Sequence, residues 1–197
     1  MNLTPAAPPS HSLPTLPAVR RSLTAPEVAE ASAIFGSSLA YDSIRVVEDA
    51  SWTNSLARLG ALLQGEPPLQ GDNGVGLGNW AFFPRALRSE AHDLQARRFA
   101  DMAWLIHELT HCWQFQHFGL RYAVEALHAQ LALGRRAYDF GGDEGLKEAL
   151  QKGRRLADFN REQQGDIARG YYLRLRQGVD VSAWEPFVRD FRPTRDS

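Results

Sequence analysis

The residues whose types and spacing can do chemistry begin with His107-Glu108-Leu109-Thr110-His111. Two imidazoles four positions apart lie on one face of a helix, one turn from each other, so both can bind one metal ion. Glu108 follows the first histidine and is rotated off the ligand line. Its carboxylate can reach a water at the metal without entering the coordination shell, which suits a general base that later returns the proton. A catalytic zinc site needs a third protein ligand. In Asn160-Arg161-Glu162-Gln163-Gln164-Gly165-Asp166, Glu162 and Asp166 are again four apart, with Phe159 and Ile167 marking the neighbouring core side. Glu162 would complete a His2Glu set for one Zn2+ ion, and Asp166 would accept a hydrogen bond from the second nitrogen of a ligand histidine, fixing its tautomer. Asp139, Glu125, Glu144 and Asp158 are the other carboxylates available as third ligand. The plain alternative for all of these side chains is a solvated helix face.

A transition-state oxyanion needs a donor opposite Glu108, and His128, Tyr138, Tyr171 and Tyr172 are of the right types. Tyr172 and Arg169 fall closer than Tyr171 to the Glu162 side of a helix, so Tyr172 is the expected catalytic partner. His92 and His117 read as surface residues, and Cys112 as a small buried filler turned away from the ligand line. With a single cysteine the chain has neither a disulfide framework nor a thiolate cluster, so a metal must use imidazole and carboxylate.

The elements that position these groups follow from periodicity. Between Ser89 and Phe118 neither Gly nor Pro interrupts the chain, and Leu94, Phe99, Met102, Leu105, Ile106, Leu109 and Trp113 trace one apolar side, predicting one long helix closed by Gly119. Thr24, Pro26 and Glu27 form a helix start leading to Phe35-Gly36. Ser43–Glu48 is β-branched and reads as a strand, Ser51–Gln64 as a helix, Gly71–Gly78 as a turn and Asn79–Phe83 as a second strand. The second strand is the candidate edge for holding extended peptide through its backbone. Helices are predicted over Tyr122–Leu133, Glu144–Gln151, Leu156–Arg176 and Val181–Arg189. The expected fold class is α+β: a mostly helical domain over residues 25–197, a small β-sheet before the active-site helix, and a flexible Pro-rich tail over residues 1–24.

Basic and acidic residues number 22 and 23, so no field of one sign points to nucleic acid or to a membrane surface as partner. No stretch reads as a membrane span or a secretory signal, and the expected location is the cytoplasm, or outside the cell by export without such a signal.

HELTH followed downstream by ExxxD resembles the gluzincin metallopeptidases, the thermolysin-like arm of the zincins. The resemblance implies a zinc peptidase in which a later helix supplies Glu162 as ligand and Asp166 as support for a ligand histidine. A narrower resemblance, carried by Phe35-Gly36, Ser43-Ile44-Arg45-Val46 and HELTHCWQ up to Gln114, is to an uncharacterised bacterial zincin-like domain often attached to secreted toxins. It implies a protein or peptide substrate and a secretion-system or effector partner. The expected activity is hydrolysis of peptide bonds by a metal-activated water with Glu108 as base; the alternative is a zinc-binding accessory or adaptor module that acts by binding a partner.

Overall fold

A computed structural model describes residues 18–63, 71–119 and 139–192. The chain is an α+β fold in which helix predominates among the described residues. Four short strands form one sheet in the order β1 (Val19–Arg21), β2 (Arg45–Glu48), β4 (Trp80–Phe82), β3 (Val75–Leu77). Strands β2 and β4 run parallel with Val46 opposite Ala81, while β1 and β3 are antiparallel to their neighbours. A two-residue turn, Gly78-Asn79, joins β3 to β4, with Gly78 at φ 62 as such a hairpin requires. The strand over Asn79–Phe83, expected at an edge, is therefore internal; the edge is β3, inside the segment expected to be a turn.

β1 lies within the segment expected to be a tail, and an ion-pair cluster explains its order. The Arg21 guanidinium donates to both oxygens of Glu27 at 2.7 and 2.8 Å and to Glu48 at 2.8 Å. Glu27, fully buried, also accepts from Ser89 Oγ at 2.6 Å and from the Thr24 amide at 2.8 Å. The Thr24 hydroxyl caps the same turn, so a capping box starts α1 (Ala25–Phe35) while tying β1, β2 and the loop at Ser89 together. Residues 1–17 lie outside the described residues.

The long helix expected over Ser89–Phe118 is two helices, α3 (Ala91–Gln95) and α4 (Ala100–Phe118). Arg97 takes a left-handed φ of 58, and Arg98 N donates to Asp93 O at 3.0 Å, which closes α3 without Gly or Pro. α4 then runs unbroken to Gly119, whose φ of 65 ends it. Met102, Leu105, Ile106 and Leu109 are fully buried, and each contributes about 2 kcal/mol of apolar burial. The polar side of α4 is buried too, because α6 (Arg161–Gln177) packs along it and β3 lies across it. Trp52, at the start of α2 (Trp52–Leu63), meets Phe82 of the sheet edge-on at 5.2 Å.

In the C-terminal part, α5 (Gly142–Gln151) precedes a single 3-10 turn at Leu156–Asp158. Asn160 then starts α6 with a reciprocal cap, Gln163 N to Asn160 Oδ1 at 2.9 Å and Asn160 N to Gln163 Oε1 at 3.1 Å. The helix expected from Leu156 thus begins at Arg161, and the last helix is only α7 (Glu185–Val188). The helix expected over Tyr122–Leu133 falls outside the described residues.

Removing the guanidinium leaves Glu27 and Glu48 without their cation. Arg21→Ala is expected to lower the unfolding free energy by about 3 kcal/mol in urea titration, whereas the exposed neighbour Arg20→Ala changes it by less than about 0.5 kcal/mol.

Candidate metal centre

The cap at Asn160 places Glu162 in the first turn of α6, where the positive end of the helix dipole favours a carboxylate. Its side chain faces the two histidines of α4. His107 Nε2 and His111 Nε2 are 3.2 Å apart, and Glu162 Oε2 lies 3.3 Å from the first and 3.5 Å from the second. These three atoms form a near-equilateral triangle. Zn–N and Zn–O bonds of about 2.0–2.2 Å in a tetrahedron separate neighbouring ligand atoms by about 3.3–3.5 Å, so the spacing fits one small tetrahedral cation. His107, His111 and Glu162 are the group of side chains that can hold a metal ion among the described residues. Asp139, Glu144 and Asp158 are engaged elsewhere, with Gly141 N, Lys147 and Arg155 N respectively. Glu125, His128 and Tyr138 are outside the described residues.

Each imidazole is oriented through its other nitrogen. His107 Nδ1 is 3.0 Å from Asp166 Oδ1, and His111 Nδ1 is 3.0 Å from Gln114 Oε1. Both oxygens accept, which assigns the proton to Nδ1 and turns each Nε2 lone pair into the triangle. Gln114 is in turn fixed because its amide donates to Gln164 Oε1 at 2.9 Å and to Arg161 O at 3.1 Å. Gln164 donates onward to Phe159 O at 2.9 Å. The contact of Asp166 with one of the two histidines matches the sequence expectation, while the partner of His111 was missed. A glutamine three residues after His111, on the same helix side, was the available signal.

Charge in this buried cluster is strongly coupled. Burial opposes charging of His107, but the carboxylates of Asp166 and Glu162 outweigh it and push its pKa up to about 10. Burial likewise opposes charging of His111, and Glu162 outweighs it, raising the pKa. Burial would raise Glu162, yet His111 and His107 together hold its carboxyl well below the usual range. Glu108 is shifted upward by burial, against the pull of the two histidines.

Three glycines let the backbone come close enough. A Cβ on Gly165 of α6 would stand 2.8–3.1 Å from three atoms of the His107 ring. One on Gly76 of β3 would stand 2.6 Å from His111 Cβ, and one on Gly74 would stand 2.6 Å from Glu108 Oε1. None of these was legible as a site residue, because each acts by what it lacks.

Tyr172 is not brought to the cluster. It is fully buried, and its hydroxyl donates to Glu30 Oε2 at 2.7 Å, an oxygen that also accepts from Arg176 Nε at 2.6 Å. Arg169 approaches Asp166 at 3.9 Å. His92 and His117 are exposed, His117 stacking on Trp113 at 4.3 Å, and Cys112 is fully buried, where burial pushes its thiol pKa up.

No family model matches this sequence, and no solved structure matches it significantly. Over 170 residues, 85% of the chain, it is 29% identical to the type VI secretion system spike protein VgrG2b of Pseudomonas aeruginosa. The chain spans 14% of that protein's length.

Gly165→Ala is expected to displace the His107 ring and weaken zinc binding by about tenfold or more in competition with a chelator, although alanine is the better helix former by about 1 kcal/mol. The pH dependence has a definite sign. The raised pKa of His107 stabilises the metal-free fold below about pH 6.5 and is lost as pH rises toward about 10; the lowered pKa of Glu162 stabilises it above about pH 4.5 and is lost on acidification. Metal must displace the imidazole protons, so the rise in Tm on adding zinc is expected to grow from pH 6 to pH 8 in thermal melts.

Proposed function

We propose that this chain is a zinc-dependent metallopeptidase of the gluzincin type. The observation that carries the reading is the triangle of His107 Nε2, His111 Nε2 and Glu162 Oε2 with sides of 3.2, 3.3 and 3.5 Å, beside the buried carboxylate of Glu108. Two imidazoles and one carboxylate are a donor set that suits zinc, and three protein ligands leave a fourth position open for chemistry. Zinc held there would supply the Lewis acid that makes water nucleophilic at neutral pH.

The chain's own groups do the rest. Asp166 and Gln114 hold the two imidazoles with Nε2 directed at the ion. Glu108 sits at the position next to a ligand, off the ligand line, and takes the proton of the attacking water before passing it to the leaving amine. Edge strand β3, whose Gly76 lies against His111 and which is preceded by Gly74 against the Glu108 carboxylate, offers backbone for an extended peptide to add as a strand. Tyr172, held by Glu30, has no part in this reading.

Similarity to a spike protein supports a second element of the reading: the domain is an effector module delivered by, or together with, a type VI secretion spike, and it acts on a protein or peptide substrate. No helix among the described residues is long and apolar enough to cross a membrane.

Glu108→Gln is expected to retain one zinc per chain while cleavage of a denatured protein library falls by about 10²–10⁴-fold. Identical cleavage profiles for the zinc-loaded wild type and variant would sink the peptidase reading and leave an accessory module that binds its partner through a retained metal site.

A further inference from the structure

Glu108 is buried at 4% exposure, and its carboxylate must still point in one direction to serve as a base. Side chains on a helix lean toward its N-terminus, so the Glu108 carboxylate lies over the turn that carries Trp104, four residues earlier. The indole nitrogen of Trp104 and that carboxylate border the same small space beside Gly74. Gly74 marks where the two meet, since a Cβ there would be 2.6 Å from Glu108 Oε1 and 2.7 Å from Trp104 Nε1. Any larger residue at 74 would push the carboxylate and the indole nitrogen aside.

The indole is itself held on two sides. Phe83 meets it edge-on, ring centroids 4.8 Å apart at 87°, and the Arg85 guanidinium lies 5.4 Å from its centroid. Arg85 is fixed by a two-pronged pair with Asp101 at 2.7 and 2.8 Å, in the first turn of α4, and by Asp72 at 2.9 Å, two residues before Gly74. The first turn of α4, the strand segment at Phe83 and the approach to β3 therefore all fix one ring. Trp donates but does not accept, so it restrains the carboxylate without competing for its proton.

We propose that Trp104 is the positioning residue of Glu108: its indole N–H, clamped by Phe83 and Arg85, holds one carboxylate oxygen and leaves the other directed at the substrate side. The proposal rests on the reading of Glu108 as general base. Neither the metal triangle nor the edge strand requires an indole at this position, so its loss should spare both.

The test is Trp104→Phe in the full chain loaded with zinc. The expected result is unchanged zinc content, a KM within about twofold of wild type on a fluorogenic peptide that the wild type cleaves, and kcat lower by about 10–100-fold. An unchanged kcat in the folded, zinc-loaded variant overturns the proposal. A second readout does not need activity. The 15N–1H signal of the Trp104 indole, assigned by its absence in Trp104→Phe, is expected to move upfield in Glu108→Ala; a signal that stays in place overturns the contact. If the wild type cleaves nothing, the peptidase reading fails alone, and the indole signal still decides whether Trp104 holds Glu108.

Discussion

His107 has a carboxylate at each ring nitrogen, Glu162 at Nε2 and Asp166 at Nδ1, and both carboxylates belong to another helix. This two-point contact joins α4 to α6 in the middle of the fold, and most of the molecule serves to bury it. Taking two imidazoles and a carboxylate out of water is costly unless each is paired and each remaining polar atom is satisfied. Here no buried side-chain nitrogen or oxygen among the described residues lacks a partner. The apolar side of α4 offsets that cost with fully buried Met102, Leu105, Ile106 and Leu109.

Close approach is the second requirement, and it is met by omission. Gly165 brings the α6 backbone against one imidazole, and Gly76 brings β3 against the other. The sheet is small, four strands of three or four residues, but its order places the glycine-bearing strand at the edge over α4. The ion cluster of Arg21, Glu27 and Glu48 holds the opposite edge. Sheet and α6 thus grip the same helix from two directions.

What could be read from sequence was whatever acts at fixed spacing within one helix. The pairs His107/His111 and Glu162/Asp166 each sit one turn apart, and periodicity alone gave their facing sides. What could not be read depended on partners far along the chain. Val75-Gly76-Leu77 looks like part of a turn until β4 pairs with it, and Val19-Arg20-Arg21 looks like a tail until Glu27 and Glu48 supply its counter-charge. The break at Arg97 carries neither Gly nor Pro. Tyr172 was placed near Glu162 by helix angle, and the angle says nothing of Glu30, a residue of α1 that takes its hydroxyl.

The two histidines are supported unequally, one by a carboxylate and the other by an amide. A divalent ion, Glu162 and Asp166 would together sum to zero charge, which is the cheapest state for a buried assembly. A carboxylate in place of Gln114 would make that sum negative, donate more electron density through His111, and blunt the ion's pull on electrons. The uncharged chain from Gln114 through Gln164 to the Phe159 carbonyl fixes the ring while adding no charge. In the proposed reading, Glu108 is then the buried carboxylate that remains beside the triangle to face a substrate.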